Sequence, residues 1–150
     1  MKYFTEDIHD VEGYLKSLPL LEDRLDQVTY QFLLNHSFHD STINQLTVLN
    51  TEGLDELEIS PVSVIIQLTY WNEQKYELRW KNVMNYSTDF DITRNKVAET
   101  GEVLFDRGLD QWAYDELVLT SQDTLHHEIL LFSQTIIKIE CKEFSIKEII

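Results

Sequence analysis

The apolar residues in the first third of the chain recur at helical spacing, which predicts two adjacent helices. Thr5 is a suitable N-cap for the first helix. Pro19 ends that helix, because proline is tolerated in the first turn of a helix but not in its interior. The two apolar stripes run through Ile8, Val11, Leu15 and Leu18, and then through Leu21, Leu25, Val28 and Phe32. We therefore predict an N-terminal helical pair.

From residue 43 onward the period of the pattern changes to two, which predicts strands. The clearest hairpin joins residues 62–70 to residues 76–81. Trp80 shares the parity of the apolar residues in the second strand, opposite the charged ones, so we expect it in the core. Further strands are predicted at residues 43–49, 112–119 and 126–132, and from residue 137 onward with a bulge near Lys142.

These elements predict one α+β domain over residues 1–150. A chain of 150 residues of which 43% are apolar can bury a substantial core. The helical pair should pack on a mainly antiparallel, curled β-sheet of about five to seven strands. Cys141 lies in an alternating apolar pattern, and we expect it to be a small, unreactive core residue.

Composition favours a cytoplasmic protein. Residues 1–10 carry acids and lack the apolar segment of a signal peptide. The longest apolar run is far too short to span a membrane. The single cysteine excludes a disulfide within one chain, which fits a reducing compartment.

The charge of the chain is strongly negative and unevenly distributed. The formal net charge is −15, and neither residues 25–74 nor residues 108–137 contain any Lys or Arg. A field of this sign repels nucleic acid and anionic membranes and steers cationic partners toward the protein. We therefore expect a basic protein partner, with no direct nucleic-acid or membrane binding.

Two clusters contain the residue types that bind metal ions. The first holds His36, His39 and Asp40, and the second holds His126, His127 and Glu128. Imidazole and carboxylate groups suit zinc or iron, so a metal-dependent enzyme that uses the first cluster is one hypothesis. Its spacing is not specific, however, and Asp40 is also typical of a turn after a helix. We expect no cofactor, no metal and no catalytic residue.

An acidic stretch with interleaved aromatic residues is the main candidate for partner binding. It contains Asp106, Asp110, Trp112, Tyr114, Asp115 and Glu116. Aromatic side chains anchor many interfaces, and acids around them can meet a basic partner. Trp112 is better explained as a strand core residue, whereas the acids are expected to be exposed in either case. A second acidic candidate consists of Asp55, Glu56 and Glu58.

Two short motifs carry a resemblance to a known class of protein. They are Phe38-His39-Asp40-Ser41-x-Ile43, and Trp112-Ala113-Tyr114-Asp115-Glu116-Leu117. Over residues 38–146 the chain resembles small acidic immunity proteins of polymorphic or contact-dependent toxin systems. That resemblance implies a protein that binds the C-terminal domain of a toxin, without catalytic residues or a cofactor.

The expected function is therefore a non-enzymatic immunity protein that neutralises a toxin domain. A nuclease is the favoured target, because a nuclease presents a basic surface that an acidic inhibitor can occupy. Two alternatives stay open. One is a phage-type anti-defence protein or nucleic-acid mimic, and the other is the metal-dependent enzyme that uses His36, His39 and Asp40.

Overall fold

A computed structural model describes residues 1–5, 7–51, 60–96, 100–102 and 108–149. Two α-helices are joined by a 3-10 helix, Leu18–Arg24, and a short 3-10 helix, Ile92–Arg94, follows later. The α-helices are α1 (Val11–Ser17) and α2 (Gln27–Asn35). The strands are β1 (Thr42–Asn50), β2 (Val62–Thr69), β3 (Lys75–Lys81), β4 (Asn85–Thr88), β5 (Asp110–Leu119), β6 (Leu125–Leu131), β7 (Ile136–Cys141) and β8 (Glu143–Ile149).

The eight described strands form one antiparallel sheet, in the order β4-β7-β6-β5-β1-β2-β3-β8. The α+β class and the antiparallel pairing are confirmed, although the strands outnumber the five to seven that were predicted. The predicted hairpin between residues 62–70 and 76–81 is present as β2–β3, in which Val64 lies opposite Trp80 and Ile66 opposite Leu78. In the described residues, no helix is long and apolar enough to cross a membrane.

The helices differ from their predicted positions. Asp10, not Thr5, caps α1 by accepting a hydrogen bond from the Gly13 N–H at 2.8 Å. The predicted second helix is a 3-10 helix followed by α2, which begins after the N-cap Asp26. Ile8 lies before α1, and Val11 and Leu15 lie in α1 on the side away from its buried residue, Tyr14. The prediction that both stripes are apolar contact faces is therefore wrong at four positions, since Ile8, Val11, Leu15 and Val28 are exposed.

Each helix contacts the sheet through a buried hydroxyl group. Tyr14 in α1 accepts a hydrogen bond from the Leu117 N–H of β5 at 3.1 Å. Thr29 in α2 accepts one from the Ile146 N–H of β8 at 2.9 Å. Both side chains are buried, so these bonds provide acceptors for strand N–H groups that would otherwise be buried without a hydrogen bond. They locate α1 next to β5 and α2 next to β8.

Two tryptophans lie at the centre of the core. Trp80 and Trp112 are both fully buried, as predicted for Trp80 and favoured for Trp112. The Trp80 Nε1–H donates a hydrogen bond to Nδ1 of the buried His127 at 3.1 Å. The indole N–H group therefore has the partner that a buried tryptophan needs.

Near Lys142, where a bulge was predicted, one strand ends and the next begins with a different partner strand. β7 ends at Cys141 after pairing with β4 and β6, and β8 begins at Glu143 and pairs with β3. The single residue between them reverses the parity of the apolar positions, which explains the pattern that suggested a bulge. The Lys142 N–H donates to the Lys81 carbonyl oxygen at 3.3 Å.

Cys141 should not react with thiol reagents in the folded protein. Its side chain is fully buried, and burial raises the pKa of the thiol to about 12. At pH 8 the reactive thiolate is then about 10⁴-fold less populated than the thiol. We expect no reaction with Ellman's reagent at pH 8 without denaturant, and one thiol per chain in guanidinium chloride. A fast native reaction would contradict the placement of β7.

Candidate partner-binding groove

A groove of about 190 Å³ lies between the N-terminal segment, the two α-helices and β5. Most of its lining is apolar or aromatic, and it contains one carboxylate. We call it the aromatic groove and define it by the residues on which its chemistry depends: Phe4, Val11, Leu15, Phe38, His39, Tyr114 and Asp115. The lining thus brings together two residues of the predicted partner-binding stretch, Tyr114 and Asp115, and two of the predicted metal ligands, His36 and His39.

Stacked and tilted rings form one wall of the groove. Phe4 lies 5.3 Å from Tyr114 between ring centroids, with the planes only 12° apart. His39 lies 5.2 Å from the same tyrosine, and His9 lies 4.7 Å from it. Ring distances of this kind are favourable in aromatic pairs, so Tyr114 is held on several sides.

His39 is oriented by the backbone of β5. Its Nδ1–H donates to the Ala113 carbonyl oxygen at 2.6 Å, which fixes the proton on that nitrogen in the neutral ring. Its Nε2 lies 3.5 Å from an Asp40 carboxylate oxygen. In the described part of the chain, no three His, Cys, Asp or Glu side chains are placed to hold a metal ion. His36, His39 and Asp40 therefore lack the geometry that the metal hypothesis requires.

Asp115 is held in place from the core side. One carboxylate oxygen accepts from the Trp112 Nε1–H at 3.1 Å, and the other accepts from the His127 Nε2–H at 2.7 Å. Because His127 Nδ1 accepts the Trp80 N–H, the ring proton of His127 lies on Nε2 and the imidazole is neutral. The Asp115 side chain is 11% exposed and lines the groove.

Tyr14 forms part of the floor and stays un-ionised. Burial, and then the nearby Asp115 charge, raise the pKa of its phenol well above the usual range. The hydroxyl oxygen accepts the Leu117 N–H, so this end of the groove is fixed to β5 as well.

Glu116 is structural, and the expectation that it is exposed is wrong. It is 4% exposed, and its carboxylate accepts three backbone N–H groups of the N-terminal segment. The donors are Lys2 at 2.8 Å, Tyr3 at 2.5 Å and Phe4 at 2.8 Å. Since successive strand residues point to opposite faces, Glu116 and Asp115 have different surroundings. Glu116 contributes to the groove only by holding Phe4 in place.

Asp110 is also buried, contrary to expectation. It is 1% exposed, and its carboxylate accepts the Ser133 hydroxyl and the Gln111 N–H, the latter at 2.8 Å. With Trp112 in the core, Tyr114 and Asp115 are the only described residues of the predicted stretch that line the groove. The remaining predicted acids lie outside the described residues: Asp106, Asp55, Glu56 and Glu58.

The rim of the groove is partly apolar and partly acidic. Val11 and Leu15, one turn apart on α1, are 52% and 42% exposed. Phe132 is exposed as well, and its ring lies 5.7 Å from that of His39. The exposed acids Asp10 and Glu12 flank Val11 in the sequence, and the exposed Asp40 follows His39. Periodicity failed to indicate this face, because it assigned Val11 and Leu15 to the core.

Comparison with solved structures finds a distant structural similarity. No family model and no curated protein matches this sequence. A crystal structure of an uncharacterized protein from Neisseria gonorrhoeae is similar over 75% of this chain and 95% of that chain, with 14% sequence identity and a TM-score of 0.47.

Proposed function

We propose that this chain is a non-enzymatic immunity protein that binds and neutralises a toxin domain through the aromatic groove. One observation carries the proposal. Val11 and Leu15 form an aliphatic face that is left in water at the mouth of an aromatic pocket, in a chain of net charge −15. An apolar centre with a polar, charged rim is the usual anatomy of a protein–protein interface.

Burial of this face by a partner supplies the driving force. Apolar surface is stabilised by about 25 cal/mol for each Å² that is removed from water. The apolar spacing of α1 is typical of a helix with one buried face. A partner would bury Val11 and Leu15, which this chain leaves exposed. The rings of Phe4 and Tyr114 beneath it are already packed, so little side-chain entropy is lost on binding.

Charge determines which partner fits. Asp10, Glu12 and Asp40 are exposed acids next in sequence to the groove residues Val11 and His39, and the one base on α1, Lys16, is paired with Glu12 at 3.0 Å. The partner is therefore basic. A nuclease domain fits this requirement, because its substrate-binding surface attracts phosphate, and an acidic protein on that surface excludes nucleic acid. The proposal places the protein in the cytoplasm, where such a toxin would act.

We also infer that the sheet beneath the groove is curled. β3 and β6 are four positions apart in the strand order, which corresponds to about 19 Å in a flat sheet. The side chains of Trp80 in β3 and His127 in β6 nevertheless form a 3.1 Å hydrogen bond. A curled sheet brings the two strands face to face and provides a rigid support for Asp115.

Lysine substitutions on α1 should abolish protection without unfolding the protein. We expect the double variant Val11→Lys and Leu15→Lys to bind the toxin domain at least about 100-fold more weakly, because it removes the apolar contact and repels a basic partner. The partner to test is the C-terminal domain of the protein encoded by the adjacent upstream gene, which the proposal expects to be a toxin. Protection is measured as survival of cells that express both proteins, and affinity by calorimetry.

The matched control is Leu20→Lys with Val28→Lys. These two residues are also exposed aliphatics of the helical region, but neither lines the groove. Both double variants should melt within a few degrees of wild type, since exposed substitutions change stability little. Equal protection by the two double variants would show that the groove is not the binding surface.

A further inference from the structure

The aromatic groove contains an uncompensated negative charge at the base of a ring-lined pocket. On the basis of the proposed function, we propose that it receives a single cationic side chain, an arginine or lysine of the toxin domain. In this arrangement the anchor residue belongs to the partner and inserts into the groove. From the sequence we expected the reverse, with aromatic side chains of this chain as the anchors. The argument depends on charge, ring chemistry and size.

The charge of Asp115 has no cationic partner in the described chain. Its two hydrogen-bond donors, the indole of Trp112 and the imidazole of His127, are both neutral. No described Lys or Arg forms an ion pair with it. A largely buried carboxylate without a counter-charge is costly, and a guest cation would remove that cost.

The walls of the groove suit the same guest. Phe4, Phe38 and Tyr114 present aromatic rings in a pocket that is also lined by three aliphatic residues, Val11, Leu15 and Leu33. The negative faces of aromatic rings attract ammonium and guanidinium groups, and the attraction is stronger where water is excluded. Arginine is enriched among residues that dominate binding at interfaces, which favours it as the anchor.

The size of the groove limits the guest to one side chain. A cavity of roughly 150 Å³ holds a benzene molecule, and this groove has about 190 Å³. It therefore fits the head of one long side chain but not a folded segment. A second copy of this chain is a poor occupant, because two chains of net charge −15 repel each other.

The test uses two small probes that differ mainly in charge. Butylguanidinium is the cation, and butylurea is its neutral isostere. We expect butylguanidinium, titrated to millimolar concentrations into the full chain, to shift the NMR signals of the Trp112 indole N–H and the Tyr114 amide. Butylurea should bind at least about tenfold more weakly, because it lacks the attraction to the rings and to Asp115.

Variants assign the binding to the groove. Tyr114→Leu keeps an apolar wall but removes the ring, so we expect about fivefold weaker binding of butylguanidinium and little change for butylurea. Tyr86→Leu, at a half-buried tyrosine outside the groove, should change neither. Asp115→Asn removes the charge and should abolish the preference for the cation. Circular dichroism checks that each variant is folded. If Asp115→Asn does not fold, the result for Tyr114→Leu decides whether the cation binds in the groove.

Two results would overturn the inference. Equal affinity for the two probes would make the groove a site for an uncharged apolar group, and the absence of binding by either probe would exclude a side-chain receptor. Neither result tests the proposed function, which is tested by the loss of protection in the double variant Val11→Lys and Leu15→Lys. Conversely, cation binding to the groove together with full protection by that variant would reject the function and keep the site.

Discussion

Replacing Trp80 by alanine should lower the free energy of unfolding by about 3–5 kcal/mol, the range for removal of a large aromatic side chain from a packed core. Trp80 is fully buried, and its ring packs 5.1 Å from that of Phe144. The substitution also leaves His127 Nδ1 without its donor. Urea denaturation followed by circular dichroism gives the free energy directly.

Trp71→Ala is the matched control for that experiment. Trp71 is 70% exposed in the turn between β2 and β3, so the same substitution should cost less than about 0.5 kcal/mol. A loss below about 1 kcal/mol for Trp80→Ala would mean that the register of the β2–β3 hairpin is wrong. A large loss for Trp71→Ala would show that the turn is packed against another part of the chain.

The β2–β3 hairpin could be predicted because the residues that determine its structure are close together in the sequence. The side chains of a strand alternate between two faces, so the parity of Trp80 with Leu78 identifies the buried face. The partner strand lies only a short loop away, and the observed register pairs Trp80 with Val64. Burial, strand type and pairing all agree here, which is typical of segments whose structure follows from pattern alone.

The N-terminal region could be predicted only as helical. The periodicity of Val11 and Leu15 indicates a helix but not which molecule covers its apolar face. In the folded chain α1 buries Tyr14, and Val11 and Leu15 are exposed. A mismatch between pattern and burial is expected at functional surfaces, and this mismatch supports the proposal that the groove binds a partner.

The buried acids could not be found from sequence, because their partners are far apart along the chain. Glu116 binds the Lys2 N–H from 114 residues away, and Asp110 binds Ser133 in the loop after β6. Acids are mostly exposed, so charge counting assigns such residues to the surface. Only the three-dimensional arrangement separates these structural acids from Asp115, which lies between them on the same strand and lines the groove.

Removal of the Glu116 carboxylate should therefore cost far more than removal of an exposed acid. We expect Glu116→Ala to lower the free energy of unfolding by about 2–4 kcal/mol, because three N–H donors lose a charged acceptor and part of that loss is recovered by water. Hydrogen exchange should show faster exchange at the amides of Lys2, Tyr3 and Phe4. Release of the Phe4 ring should also weaken butylguanidinium binding to the aromatic groove.

Glu143→Ala provides the comparison, since Glu143 is an exposed acid at the start of β8. That variant should lose less than about 0.5 kcal/mol and keep the exchange rates of the N-terminal amides. Glu116→Gln should fall between the two, because its amide retains one acceptor oxygen but no charge. If Glu116→Ala is as stable as Glu143→Ala, the N-terminal segment is not anchored by Glu116. The wall that Phe4 contributes to the groove would then have to be held by its contacts with His9, Tyr14 and Tyr114.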